Sequence, residues 1–219
     1  MQARRKIGRK AAFAAVLSAT LLGVTGCSFS LFSFGPPPSE ASQLAERATG
    51  DETANPHAWF FHGERLLREG EPKEARKRFK QALKLSPDYE EALIGIGRSH
   101  EAEENWKKAK DAYREALFLN ERNLAAREGL SRAHLMTGDL RSAENAVTEA
   151  LALIPEEQQS TRLPFYAVLF EVAYRVGDFQ NALKAWRVLE SDGRYREQLG
   201  PLAKDLQEYV RKYDPKKAP

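Results

Sequence analysis

Cys27 is the only thiol in a chain of 219 residues, and four histidines complete its short inventory of soft nucleophiles and metal ligands. No histidine-paired thiol, Gly-x-Ser-x-Gly elbow, His-Glu-x-x-His pair or glycine-rich phosphate loop accompanies them. The sequence therefore spells no hydrolase, zinc peptidase or nucleotidase, and no catalytic residue, cofactor or metal is expected. His100 and His134 lie 34 residues apart, but two imidazoles without a third ligand make a poor zinc site, so packing is their expected role. Carboxylates are plentiful and scattered, as on a solvated surface, with no catalytic pair among them. Two arginines remain, Arg98 and Arg132, again 34 residues apart, with acidic neighbours Glu64 and Glu171 on either side of them and Glu101 and Glu128 close in sequence. A guanidinium's planar fork suits a carboxylate, which here is either a ligand's or one of the protein's own.

Cys27 is placed by what precedes it. Arg4, Arg5, Lys6, Arg9 and Lys10 make a basic start with no acidic residue before position 27, and Ala11 to Val24 is an apolar run of 14 residues. At 1.5 Å per residue that run cannot cross about 30 Å of hydrocarbon, so it reads as the core of an export signal at residues 1–26. The formal charge of +3 belongs to this leader: taking its five cations from the 34 Lys and Arg leaves 29 against 31 Asp and Glu, a net of −2. A faintly acidic remainder gives no footprint for nucleic acid. Val24-Thr25-Gly26-Cys27 resembles the bacterial lipobox, in which the cysteine receives a diacylglycerol before cleavage. On that resemblance Cys27 is the lipidation site, and Ser28, which is not Asp, implies sorting to the outer membrane with the protein on its periplasmic side. Residues 27–55, containing Phe32, Phe34 and Pro36-Pro37-Pro38, form the expected tether, a loose coil reaching roughly 30 Å with one short helix over Ser39 to Ala48.

Beyond Asn55 the chain repeats itself. Ala75, Ala109 and Ala143 are each 34 residues apart, and so are Phe79, Tyr113 and Val147; Ala82, Ala116 and Ala150; Leu83, Leu117 and Leu151; and Leu85, Leu119 and Leu153. Small residues at two positions and a large apolar one between them suit a close crossing of two helices, neither of which could bury its stripe alone. Helix starts are marked by Asn55 before Pro56, by Asp88 with Glu91 as a capping box, and by Asp178; Gly70, Gly138 and Gly177 suit left-handed turns inside the units. Leu199, Leu202, Leu206, Tyr209 and Tyr213 form a helical stripe in residues 195–219, as a terminal capping helix requires.

At this period the chain resembles the tetratricopeptide repeat family, an all-α, right-handed solenoid of helix-turn-helix units. The first unit, about 56–89, carries Trp59, Gly63, Ala75, Phe79, Ala82 and Pro87 of the family pattern; the second, about 90–123, carries Leu93, Ile96, Gly97, Ala109, Tyr113 and Ala116. The third, about 124–157, keeps Leu130, Ser131, Ala143, Ala150 and Pro155 but has Arg127 at a usually apolar position. After an insertion near 156–161 a fourth, about 163–194, has Tyr166, Leu169, Gly177, Ala182 and Trp186, with Phe170 in place of a small residue and hence a looser expected crossing. In this family the first helix of each unit lines a concave peptide-binding groove. The resemblance assigns Phe60, Glu64, Arg68, Ile94, Arg98, Glu101, Glu128, Arg132, Glu171, Tyr174 and Arg175 to it.

The implied role is non-enzymatic: a lipid-anchored adaptor that binds protein partners in the envelope. The chain looks like repeat lipoproteins that assist pilus or secretin assembly, and also like those that dock cell-wall hydrolases or join barrel-assembly machinery; a self-associating structural protein, a homo-oligomer, is the alternative of a different class. Helix 72–84, with Lys73, Arg76, Lys77, Arg78, Lys80 and Lys84, reads either as a solvated convex face or as a contact for lipid head groups or an acidic partner.

Overall fold

The computed structural model describes residues 54–213. The export signal, Cys27, the tether with its Ser39–Ala48 helix, and the side chain of Tyr213 lie outside the described residues. Nine helices and no strand occur among those described: α1 Pro56–Arg68, α2 Pro72–Leu85, α3 Glu90–Glu101, α4 Trp106–Leu119, α5 Leu124–Met136, α6 Leu140–Leu153, α7 Gln159–Val176, α8 Phe179–Leu189 and α9 Gly193–Tyr213. Consecutive helices pack in antiparallel pairs, and the first helices of neighbouring units also touch, α1 with α3, α3 with α5 and α5 with α7. Closer spacing among first helices than among second helices curves the stack with the first helices inside.

Short polar residues start the helices. Asn55 accepts from the amide of His57, Asn105 from Lys108, Asn123 from Ala126, Asp139 from Ser142 and Asp178 from Asn181, each satisfying an amide that has no partner within its helix. The Asp88–Glu91 capping box does not form. α3 begins at Glu90 after Tyr89, which makes no side-chain cap, while Asp88 accepts from the Ser86 hydroxyl at 2.9 Å. The turns inside the units are left-handed at Gly70, Gly138 and Gly177, with φ of 81°, 77° and 78°. The second unit makes the same turn with Glu104, at φ 55°, so a side chain occupies a conformation that glycine adopts without strain.

Packing follows the repeat. Ala75, Ala82, Ala109, Ala116, Ala143, Ala150 and Ala182 are fully buried, as are Phe79, Tyr113 and Val147. Each aromatic is gripped from two sides. A Cβ on Gly63 or on Gly95 would come within 2.6 Å of the Phe79 ring, and one on Gly97 or Gly129 within 2.6 or 2.3 Å of Tyr113. Glycine is required at all four positions because the ring of one unit lies flat against its own first helix and that of the next. In the third unit the ring is replaced by Val147, and the corresponding neighbours are larger, Ser131 and Val168.

The fourth unit departs from its predicted boundaries. Residues 159–161 belong to α7, which runs 18 residues through Pro164, so the expected insertion lengthens the first helix by about a turn. Arg162 accounts for the start: its guanidinium donates to the carbonyl oxygens of Ile154 at 2.6 Å and Leu151 at 3.3 Å, tying the α7 entry to the end of α6. Phe170 is fully buried, with its ring 6.3 Å from that of Trp186. α9 closes the stack as expected but starts two residues early. Tyr195, Ala203, Leu206 and Val210 are buried against Trp186 and Leu189, with Leu199, Leu202 and Tyr209 packed at their edge.

Candidate functional site

The inner face is built by α1, α3, α5 and α7, and its polar side chains meet across the units. Arg98 on α3 donates through one terminal nitrogen to both carboxylate oxygens of Glu64 on α1, at 2.8 and 2.9 Å. Arg132 on α5 grips Glu101 of the preceding unit with two nitrogens, Nη2 at 2.8 Å and Nε at 3.3 Å, and gives Nη1 to Glu128 one turn back at 2.9 Å. Arg175 on α7 donates to Glu171 at 3.1 Å and to the Leu135 carbonyl on α5 at 3.0 Å. Arg132 and Arg175 thus spend both arms of the fork on the protein itself, and Arg98 spends one. Of the two readings the sequence leaves open for Arg98 and Arg132, internal pairing is the one that the structure displays.

The centre of the ladder is the most enclosed. Arg132 and Glu101 expose only 13% and 12% of their side chains, against 35% and 21% for Arg98 and Glu64. Burial opposes the Arg132 charge, but Glu101 and Glu128 outweigh it and hold its pKa above the usual arginine range. Beneath them lies Tyr113, whose hydroxyl is raised well above the usual value by burial and then by the charge of Glu101. At the far end burial lifts the Glu171 carboxyl, with Arg175 pulling the other way.

Other assigned residues face elsewhere. Ile94 is buried with Leu93, Ala109 and Tyr113 in the core of the second unit, because the 3.6-residue turn of α3 carries it beneath the inner surface. Phe60 packs on Phe79 and Tyr89, with ring centroids 5.8 and 5.4 Å apart, and Phe61 stacks edge-on against it at 5.5 Å. Tyr174 is half-buried between Phe170 and Phe179. Arg68 is exposed at the last turn of α1. The inner surface thus presents the ladder of Glu64, Arg98, Glu101, Glu128, Arg132, Glu171 and Arg175, with Arg68 at its edge.

Two further polar side chains, Arg127 and His134, have structural partners. Arg127 fills its usually apolar position by donating to the Glu121 carbonyl at 2.8 Å and to Glu149 at 3.1 Å. His134 is buried with its Nδ1 3.1 Å from Asp139, and burial, then Lys110, keep its pKa below the ordinary histidine value. His100 is lowered in the same way by burial and by Arg76 and Lys108. No group of three or more His, Cys, Asp and Glu side chains placed to hold a metal occurs among the described residues. Gly95, Gly129 and Arg162 stand outside the residues expected from sequence, although Gly95 and Gly129 were legible as a pair 34 residues apart.

A curved stack of antiparallel helix pairs whose inner face is a continuous polar strip is a helix-turn-helix repeat solenoid. Two tetratricopeptide repeat models match the sequence, over residues 66–112 and 94–157, so the stretch 66–157 reads as tetratricopeptide repeats. Solved structures share the fold. MamA from Desulfovibrio magneticus RS-1 superposes with a TM-score of 0.62 at 18% identity over 78% of this chain and 91% of that one. The Cut9–Hcn1 hetero-tetramer of the APC/C gives 0.63 at 20% identity over 82% and 34%. YrrB, described as a repeat protein with an unusual peptide-binding site, gives 0.50 at 18% identity over 81% and 94%. Comparison with curated protein sequences gives no match.

Proposed function

We propose that this chain is a non-enzymatic adaptor that holds a protein partner along its inner face and is anchored, through acylated Cys27, to the periplasmic side of the outer membrane. The observation that carries the binding half is the ladder Glu64–Arg98, Glu101–Arg132–Glu128, Glu171–Arg175, which sets arginine–glutamate pairs one after another along one surface. An extended segment lying along such a strip meets paired charges of both signs in succession, which suits peptide recognition by many modest contacts. Both arginine and carboxylate are already paired, so a partner's charged groups must exchange with an internal one, favouring a segment that brings both signs. The hetero-tetrameric Cut9–Hcn1 assembly and the peptide site of YrrB support protein binding by this fold. The anchor rests on the sequence before Cys27, and service to pilus or secretin assembly rests on the likeness to repeat lipoproteins of that kind.

Two experiments separate the halves. Photocrosslinking amino acids placed at Arg68 and Glu128 should capture a common partner in cells, while one at Thr148 on α6 should not; capture from Thr148 alone would remove the inner face from consideration. Cys27→Ala should eliminate fatty-acid labelling and release the protein from the membrane fraction. Unchanged labelling would sink the anchor.

A further inference from the structure

The six cations of α2 do not share one fate. Arg76 turns inward, donating to the Ser99 carbonyl at 3.1 Å and pairing with Glu103 at 2.6 Å, and Arg78 lies over the Trp59 ring at 5.4 Å. Lys73, Lys77, Lys80 and Lys84 stay outside, all exposed and spaced as one stripe along the helix. Among the described residues Lys77 is the one of the four in an ion pair, with Glu74 at 2.7 Å, while Lys73 acts on the Glu103 carboxylate at longer range. One period on, the same outer stripe of α4 reads Lys107, Asp111, Arg114 and Phe118, with Asp111 and Arg114 paired at 3.7 Å. Phe118, the equivalent of Lys84, is 86% exposed, and Leu85 and Leu119 beside these positions are 45% and 42% exposed. On α6 the stripe becomes Arg141, Asn145, Thr148 and Ala152, so positive charge is concentrated at the α2 end of the outer face.

We propose that this face, the lysine stripe of α2 with Phe118 at the end of α4, docks on an anionic lipid bilayer. The choice of cation points to lipid. Recognition of a defined acidic peptide favours the bidentate fork of arginine, yet both arginines of α2 are consumed internally and only lysines, strongly hydrated point charges, are left outside. A diffuse layer of head groups asks for no directed geometry, and each lysine near it strengthens adsorption roughly fivefold. Phe118 supplies what charge alone does not: an uncovered ring beside Leu119, with Arg114 and Glu115 one turn back, is suited to the boundary between head groups and acyl chains, where aromatic side chains settle. No described helix is long and apolar enough to cross a membrane, so the contact is a surface one. Docked this way, the chain turns its inner face away from the bilayer. This inference stands on the outer face alone and goes beyond the adaptor reading: failure of Cys27 acylation or of inner-face crosslinking leaves it intact.

The test uses residues 27–219, free of the basic and apolar export signal that would itself adsorb to anionic vesicles, with Cys27→Ser and Phe118→Cys, labelled at position 118 with the environment-sensitive fluorophore NBD, and a second chain labelled instead at Thr148→Cys. Each is titrated with phosphatidylcholine vesicles with and without phosphatidylglycerol. The expected result is a blue-shifted, brighter emission at position 118 with the anionic vesicles only, reversed by salt, with little change at position 148. Replacing Lys73, Lys77, Lys80 and Lys84 by Gln should weaken that titration by about fivefold per lysine. These side chains are exposed, so circular dichroism should show the variant folded. An equal response to neutral vesicles, an equal response at both positions, or a quadruple variant that titrates like its parent would overturn the proposal. A shift with poly-glutamate and none with vesicles would assign the face to an acidic protein and overturn it equally.

Discussion

Replacing glycine by alanine inside a helix ordinarily stabilises it by about 1 kcal/mol, and Gly129→Ala should do the reverse. A Cβ at Gly129 would lie 2.3 Å from Cζ of Tyr113, with Cε1 and Cε2 at 2.5 and 2.6 Å. Carbon atoms rest about 3.5–4.0 Å apart, so the ring must retreat by more than about 1 Å. Its only retreat is toward Gly97, where a Cβ would itself come within 2.6 Å of the same ring. Overpacking of this kind costs about 1–3 kcal/mol or more, and the helix-propensity gain offsets only part of it. An approach of 2.3 Å belongs at the upper end of that range, so the net loss is about 2 kcal/mol, which for a domain of this size lowers the melting midpoint by roughly 4–8 °C. Far-UV circular dichroism on heating and in urea would measure it. A second arm uses Tyr113→Val, which imitates Val147 in the third unit. With the ring gone, Gly129→Ala should regain most of its usual benefit, so the double-mutant cycle should show a coupling of at least about 1 kcal/mol. A midpoint that stays level or rises in the single variant, or strict additivity in the cycle, would refute the claim that the ring is clamped between units.

Glu104→Gly should raise the urea midpoint by the equivalent of about 1 kcal/mol, since it relieves a left-handed side chain where Gly70 and Gly138 sit in the flanking units; no gain would mean that Glu104 carries no strain. Arg132→Ala strands two carboxylates in an enclosed place and should cost on the order of 3–5 kcal/mol, whereas Arg98→Ala, at a more open pair, should cost about 1 kcal/mol or less; comparable losses would contradict the burial gradient along the ladder. Acid should weaken the fold near the histidine range. His100 and His134 have folded pKa values held below the ordinary 6.5, so the unfolded chain binds more protons and stability falls as pH drops through that value. His100→Gln with His134→Gln should flatten the decline in urea titrations between neutral pH and the carboxylate range.

The alanines at 75, 109 and 143 and the large residues between them were legible because a fixed period multiplies weak local signals, and the fold class follows from them. Local chemistry was less legible. Asp88 has the right spacing from Glu91 for a cap, but its carboxylate takes the nearby Ser86 hydroxyl and Tyr89 begins the helix in its stead. Pro164 resembles a helix start and hides the extra turn of α7, whose anchor is the contact of Arg162 with carbonyls eight and eleven residues back. Ile94 lies on a helix that lines the inner face yet points into the core, since membership of a helix does not settle which side a residue faces. Whether Arg98 and Arg132 meet Glu64 and Glu101 or a ligand depends on side-chain reach between units, which sequence spacing does not encode.

The flat seating of each ring between two units also bears on how such a chain can be rearranged in its gene. Excising the second unit, residues 90–123, would bring Phe79 up to the third unit's Gly129, a match of the same kind as the native one with Gly95. Excising the third, residues 124–157, would set Tyr113 against Val168 where no hollow exists. The units look interchangeable by length, but their joints are keyed in a fixed order, and recombination between them is permitted at some boundaries and forbidden at others.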